Sequence, residues 1–169
     1  MSQPAKSPRA SLSEMVQFVL PNDANPLGFI LGGSVMHLID IAGAIAANRH
    51  TRSAIVTASV DDLQFLHPIK VGDMIILRAW VNAAFRTSME VEVEVCSEEA
   101  LTGRRQLTSR AYLTFVAVDR QGRPAEVPPL LLETEDEQRR ERAARERREE
   151  RLKRKQRATA EGAPAAPPA

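Results

Sequence analysis

Across residues 34–49 the apolar positions Val35, Met36, Leu38, Ile39, Ile41, Ala42, Ile45 and Ala46 fall around most of a helical circumference. A helix apolar on nearly every side is one buried by its neighbours rather than laid on a surface. At about 1.5 Å per residue such a helix is about 24 Å long, enough to run through a small domain. Ser34, after Gly32-Gly33, is placed to cap its start, and Asn48, Arg49 and His50 form a polar exit. From residue 55 the period changes to two, which predicts strands over 55–66, 74–84, 87–98 and 105–118. In the third, Met89, Val91, Val93 and Val95 alternate with Glu90, Glu92 and Glu94; in the fourth, Leu107, Ala111, Leu113, Phe115 and Ala117 share a face.

The segment 67–73 is turn chemistry, and the other strand connections are short, so the sheet is expected to be antiparallel. The long apolar helix then rests on one face of that sheet, giving an α+β arrangement whose exposed edge invites dimerisation. A further short strand is expected at 16–20, behind a disordered lead over 1–14. The folded domain spans 15–132. Thr134 with Glu137 forms a capping-box pattern opening a charged helix over 133–157, read as solvent-exposed and internally paired, before a disordered Ala/Pro tail over 158–169.

Charge and composition narrow the function classes. The net charge of +1 hides basic residues crowded into the last third, where acidic residues interleave with them, which argues against a nucleic-acid partner. No apolar run reaches the roughly 20 residues needed to span a bilayer, and no targeting signal is evident, so a cytoplasmic protein without membrane insertion is expected. The single cysteine, Cys96, excludes an internal disulfide and suits an inert thiol in a strand.

One carboxylate breaks the apolar helix: Asp40, between Ile39 and Ile41. A buried carboxylate must be paired, protonated or chemically employed, and composition alone leaves structural and catalytic readings both open. His37 shares its stripe and reads as a packing residue; no ligand set for a metal accompanies it. Asn25 lies in a turn-rich loop, and Gly32-Gly33 brings bare backbone N–H groups to a helix start, a setting suited to an oxyanion.

Asn25-Pro26-Leu27-Gly28, Leu31-Gly32-Gly33, Met36 and Asp40 together resemble the signature of hotdog-fold acyl-CoA thioesterases, both the bacterial hydrolases and the cytosolic brain-type enzyme of animals. The resemblance continues through Phe65-Leu66-His67-Pro68, Val71-Gly72-Asp73, Thr87-Ser88-Met89-Glu90-Val91, Phe115-Val116-Ala117-Val118-Asp119 and Val127-Pro128-Pro129. It implies a hotdog fold, hydrolysis of acyl-CoA without metal or other cofactor, and dimers with active sites at the subunit interface, often assembled as trimers of dimers. Asp40 would serve as general base or nucleophile, Asn25 of the facing subunit would orient water or thioester, and the Gly33 N–H would polarise the carbonyl. Cations should meet CoA, a polyanion; Arg86, Thr87 and Ser88 at a strand turn, with Arg110 behind, are the candidates. Two rival readings are a non-catalytic acyl-CoA sensor and a hotdog enoyl-CoA hydratase. The hydratase motif ends in His where this chain has Gly28, and neither rival accounts for Asp40.

Overall fold

The alternating strands pair into a single five-stranded antiparallel sheet in the order β1-β3-β4-β5-β2. In the computed structural model, which describes residues 4–160, these are β1 Ser13–Phe18, β2 Ala54–Phe65, β3 Met74–Ala84, β4 Ser88–Glu98 and β5 Arg105–Val118. Helix α1, Gly32–Thr51, precedes β2, and helix α2, Glu135–Ala160, closes the described chain. Period-two alternation does the sorting: Met89, Val91, Val93 and Val95 join Leu77, Val81, Leu113 and Phe115 in a core against Val35, Ile39, Ala42 and Ala46 of α1.

Helix and sheet meet most closely at Gly43. A Cβ there would lie 3.0 Å from Phe115 Cε2, and Phe115 is fully buried. Gly43→Val should therefore destabilise the fold by about 2 kcal/mol, because overpacking outweighs the helix-propensity gain. Denaturant unfolding checks this; an unchanged midpoint would contradict it.

Several boundaries differ from expectation, each for a local reason. Helix α1 starts two residues early, with Leu31 as N-cap and no side-chain cap, so Ser34 lies in its first turn. The chain entry is fixed by backbone instead: the Leu31 N–H donates to Asp23 O and the Val35 N–H to Leu31 O. The lead expected to be disordered is ordered from Lys6 onward among the described residues. Lys6 Nζ donates to His50 O at 2.6 Å, Pro8–Ser11 forms a 3-10 turn, and Ser13 and Glu14 already pair with Ala79 and Arg78. These contacts run through polar side chains, such as Ser13 Oγ donating to Ala42 O, and hydropathy does not register them. Of the tail expected from 158, residues 158–160 continue α2, and the rest lies outside the described residues.

The sequence leaves open whether the charged helix α2 packs on the domain or projects into solvent, and its contacts decide this. The Thr134–Glu137 capping box forms as expected, with Glu137 N–H donating to Thr134 Oγ1 at 3.2 Å and Thr134 N–H to Glu137 Oε2 at 3.1 Å. The helix is not merely solvated, however, because it covers the face of the sheet opposite α1. Arg147 makes two hydrogen bonds to Glu90, at 2.7 and 3.1 Å, and lies over the Tyr112 ring; Arg140 lies over Trp80. Glu90 and Glu92, which alternation assigns to water, are thus buried at 1% and 5% exposure.

His50, at the α1 exit, is also fully buried, and its Nε2 lies 2.8 Å from Pro128 O. Burial pushes its pKa below the ordinary imidazole value of 6.5, with the Pro128 contact opposing. The unfolded chain therefore takes the proton more readily, and stability present above pH 6.5 is lost as pH falls below it. The melting temperature should drop between about pH 7.5 and about pH 5.5, and less steeply in His50→Gln. Equal slopes would exclude His50 as the cause.

Candidate active site

Asp40 lies on the stripe of α1 that the sheet leaves uncovered. Asp40 is half-buried, and its Oδ1 accepts a 2.7 Å hydrogen bond from Thr57 Oγ1 of β2. On the same side of the sheet Met36 and Val60 of the edge strand are each 47% exposed, while Val56, 49% exposed, points to the other face of that strand. An apolar surface of this kind around a carboxylate, along an unpaired strand edge, marks an interaction face rather than a solvated one. Asp40 is thus less enclosed within one copy of the chain than its place between two isoleucines suggests.

The Thr57 contact escapes sequence pattern analysis. Two register breaks interrupt β2 against β5, between Thr57 and Ser59 and between Val60 and Asp62. Thr57 pairs across from Phe115, on the α1 side, whereas Ser59 pairs with Thr114 on the other. Strict alternation would have put both on one face. The break moves Ser59 and leaves Thr57 in step with Ile55, so the alternation of those two was the available signal.

Asn25 is held by its own loop. Its Oδ1 accepts from the N–H groups of Leu27, at 3.0 Å, and Phe29, at 3.2 Å, and its backbone N–H donates to Phe29 O. Gly28 turns the chain here at φ 81°, where a glycine is needed. Asn25 lines a cleft of about 400 Å³ with Gly32, Val35, Phe65 and Pro68. Gly33 opens on an adjacent hollow with Gln17, Asp23 and His37. Its N–H lies in the first helical turn, where no intrahelical acceptor exists, at the positive end of the helix dipole. From Gly33 to Asp40 the helix rises about 10 Å. Asp40 lines neither of these two hollows, and Asn25 and Gly33 line different ones.

The CoA-binding candidates divide. Arg86, Thr87 and Ser88 form the β3–β4 turn, where Phe85 N–H donates to Ser88 O, and Arg86 is exposed with no ion pair among the described residues. Arg110 does not stand behind them. It pairs across from Glu94, whereas Ser88 pairs across from Val116, six residues further along β5 or about 20 Å. Its guanidinium is neutralised by Glu94 at 2.5 Å and Glu92 at 3.3 Å, on the face beneath α2. Burial pushes the Glu92 carboxyl above the usual range, against the pull of Asn82 and Arg110. Among the described residues no group of three or more His, Cys, Asp or Glu side chains could hold a metal. None of the described helices is long and apolar enough to cross a membrane.

Residues 27–103 match the Thioesterase superfamily. An uncharacterized acyl-CoA thioester hydrolase of Bacillus subtilis is 43% identical over 119 residues, covering 70% of this chain and 69% of that protein. The cytosolic acyl coenzyme A thioester hydrolase of Homo sapiens is 36% identical over 132 residues; there the match covers 77% of this chain but 35% of the human protein. Among solved structures, an apo-hexameric acyl-CoA thioesterase superposes with TM-score 0.86 at 43% identity, over 90% of this chain and 97% of that one. The acyl-CoA hydrolase of Staphylococcus aureus, solved with butyryl coenzyme A, coenzyme A and coenzyme A disulfide, does so with TM-score 0.86 at 36% identity, covering 93% and 96%. That hydrolase has also been solved with alanine replacing an asparagine, an aspartate and a threonine, spaced in its chain as Asn25, Asp40 and Thr57 are spaced here. With the long helix, the antiparallel sheet and these likenesses together, the chain belongs to the hotdog-fold thioesterase superfamily, within its acyl-CoA thioester hydrolase branch.

Proposed function

We propose that the chain hydrolyses acyl-CoA thioesters to a free acid and CoA, at a site that two copies complete between them. The observation that carries this reading is the half-buried Asp40, hydrogen-bonded by Thr57 of the edge strand, with Met36 and Val60 left exposed on the same side of the sheet. Pairing of two β2 edges would bring the Asn25 loop of one copy toward Asp40 of the other and shield both from water. Asp40 then removes a proton from water as it attacks the thioester carbon, or attacks that carbon itself and forms an anhydride that water afterwards hydrolyses to the free acid and Asp40. In either route the carbonyl oxygen gains charge that the Gly33 N–H and the start of α1 are suited to receive. Asn25 orients the attacking group; the CoA thiolate leaves as the carbonyl re-forms and takes the proton Asp40 removed from water in the first route, or one from solvent in the second.

Arg86, with Thr87 and Ser88, is proposed to meet the anionic part of CoA, being the cationic turn without an acidic partner among the described residues. Arg110 is not retained for that role, because Glu92 and Glu94 already neutralise it. The hexameric neighbour supports a trimer of dimers. The cytosolic relatives and the lone Cys96 support a cytoplasmic setting. The domain is taken to run to 132 and to include β1 from Ser13 and the segment from Lys6 that packs on it, with the charged helix α2 beyond it docked on the sheet.

The test is thiol release by the purified chain from acyl-CoAs of increasing length. Release of thiol, with enoyl-CoA absorbance unchanged beyond that hydrolysis, is expected. Loss of enoyl absorbance without thiol, as a hydratase gives, or no release at any length, as a sensor gives, would overturn the reading.

A further inference from the structure

Asp61 is a carboxylate that the proposed chemistry does not use, buried to 4% side-chain exposure on the face opposite Asp40. It falls in the second register break of β2, and every polar contact it makes ties that irregular segment down. Ser59 Oγ donates to Oδ1 at 2.9 Å, Thr114 Oγ1 of β5 donates to Oδ2 at 3.2 Å, and Arg151 of α2 donates to Oδ2 at 2.5 Å. Thr57, which faces α1 and Asp40, is the last residue of the regular ladder that runs in from Ala54, and the first break begins directly after it. A bulge costs ladder hydrogen bonds and re-aims a side chain, so it persists where other contacts hold it. Here the strand is at a sheet edge, with a neighbour on one side only.

We propose that Asp61 is a positioning residue: gripped by Arg151, it pins the doubly bulged middle of β2 and so holds the Thr57 hydroxyl on Asp40. This gives α2 a part in turnover although it lies on the far side of the sheet. The proposal rests on the reading of Asp40 as the working carboxylate.

The test compares Arg151→Ala, Arg151→Lys, Asp61→Asn and Arg154→Ala, the last being a nearby cation on the same helix. Arg151→Ala should lower kcat about tenfold and leave KM within about twofold, since misaimed groups affect the chemical step. Arg151→Lys should recover most of the loss, Asp61→Asn should behave like Arg151→Ala, and Arg154→Ala should match wild type. In a Thr57→Ala background, adding Arg151→Ala should change kcat by less than about twofold, because both act through one contact. Wild-type kcat in folded Arg151→Ala and Asp61→Asn would overturn the proposal, as would an undiminished effect of Arg151→Ala without Thr57. Amide exchange over residues 57–62 separates this from the reading of Asp40. Faster exchange there in Arg151→Ala supports the pin even if wild type releases no thiol, and unchanged exchange refutes it.

Discussion

Asp40→Asn should lower kcat for thiol release by about a thousandfold while KM for acyl-CoA changes little. Asparagine keeps the size of the side chain and still accepts the Thr57 hydroxyl, so α1 and β2 stay where they are. It loses the charge that removes a proton from water or forms the bond to carbon. General-base and nucleophilic roles each supply several kcal/mol to a transition state, and an interaction made only there appears in kcat rather than KM. Melting temperature should remain near that of wild type. Steady-state kinetics on the purified variant checks this, and full activity would remove Asp40 from the mechanism while leaving the reaction.

Breaking the β2 edge should have an effect of similar size by a different route. In Val56→Lys with Val60→Lys, two charges replace side chains that are about half-exposed in one copy, so the isolated fold loses little. Charged side chains on an edge strand oppose pairing with a second strand. Sedimentation should then show a folded monomer, and thiol release should fall at least a hundredfold, because Asn25 and Asp40 no longer meet. A folded monomer with full activity would show that one copy suffices.

Much of this was legible in the sequence because two periodicities are unusually clear. The near-continuous apolar character of α1 and the Val/Glu alternation of β4 each correspond to a real layer of the core. The pattern failed where polar groups are buried by partners distant in sequence. Alternation assigned Glu90 and Glu92 to water, but Arg147 and Arg110 reach them from α2 and β5. Ser11 and Ser13 looked like part of a polar lead, yet both are buried against backbone groups of β3 and α1.

The site divides in the same way. Asp40 stood out as a carboxylate in an apolar helix, whereas Asn25 reads as a turn former and takes its candidate role, with Gly33, from the family resemblance. Thr57 did not stand out, since a threonine in a strand is ordinary and its partner Asp40 is 17 residues away on another element. Arg110 was grouped with the β3–β4 turn on charge alone, and the strand register separates them.

The most direct test mixes two inactive subunits. Asn25→Ala and Asp40→Asn should each be nearly dead alone. A two-fold dimer of one copy of each has one doubly damaged site and one intact site, so random exchange should restore about one quarter of wild-type activity. Recovery near that level is the result expected of a site shared between copies. No recovery in mixtures verified to contain such heterodimers would contradict it, placing both residues in a site built from a single chain.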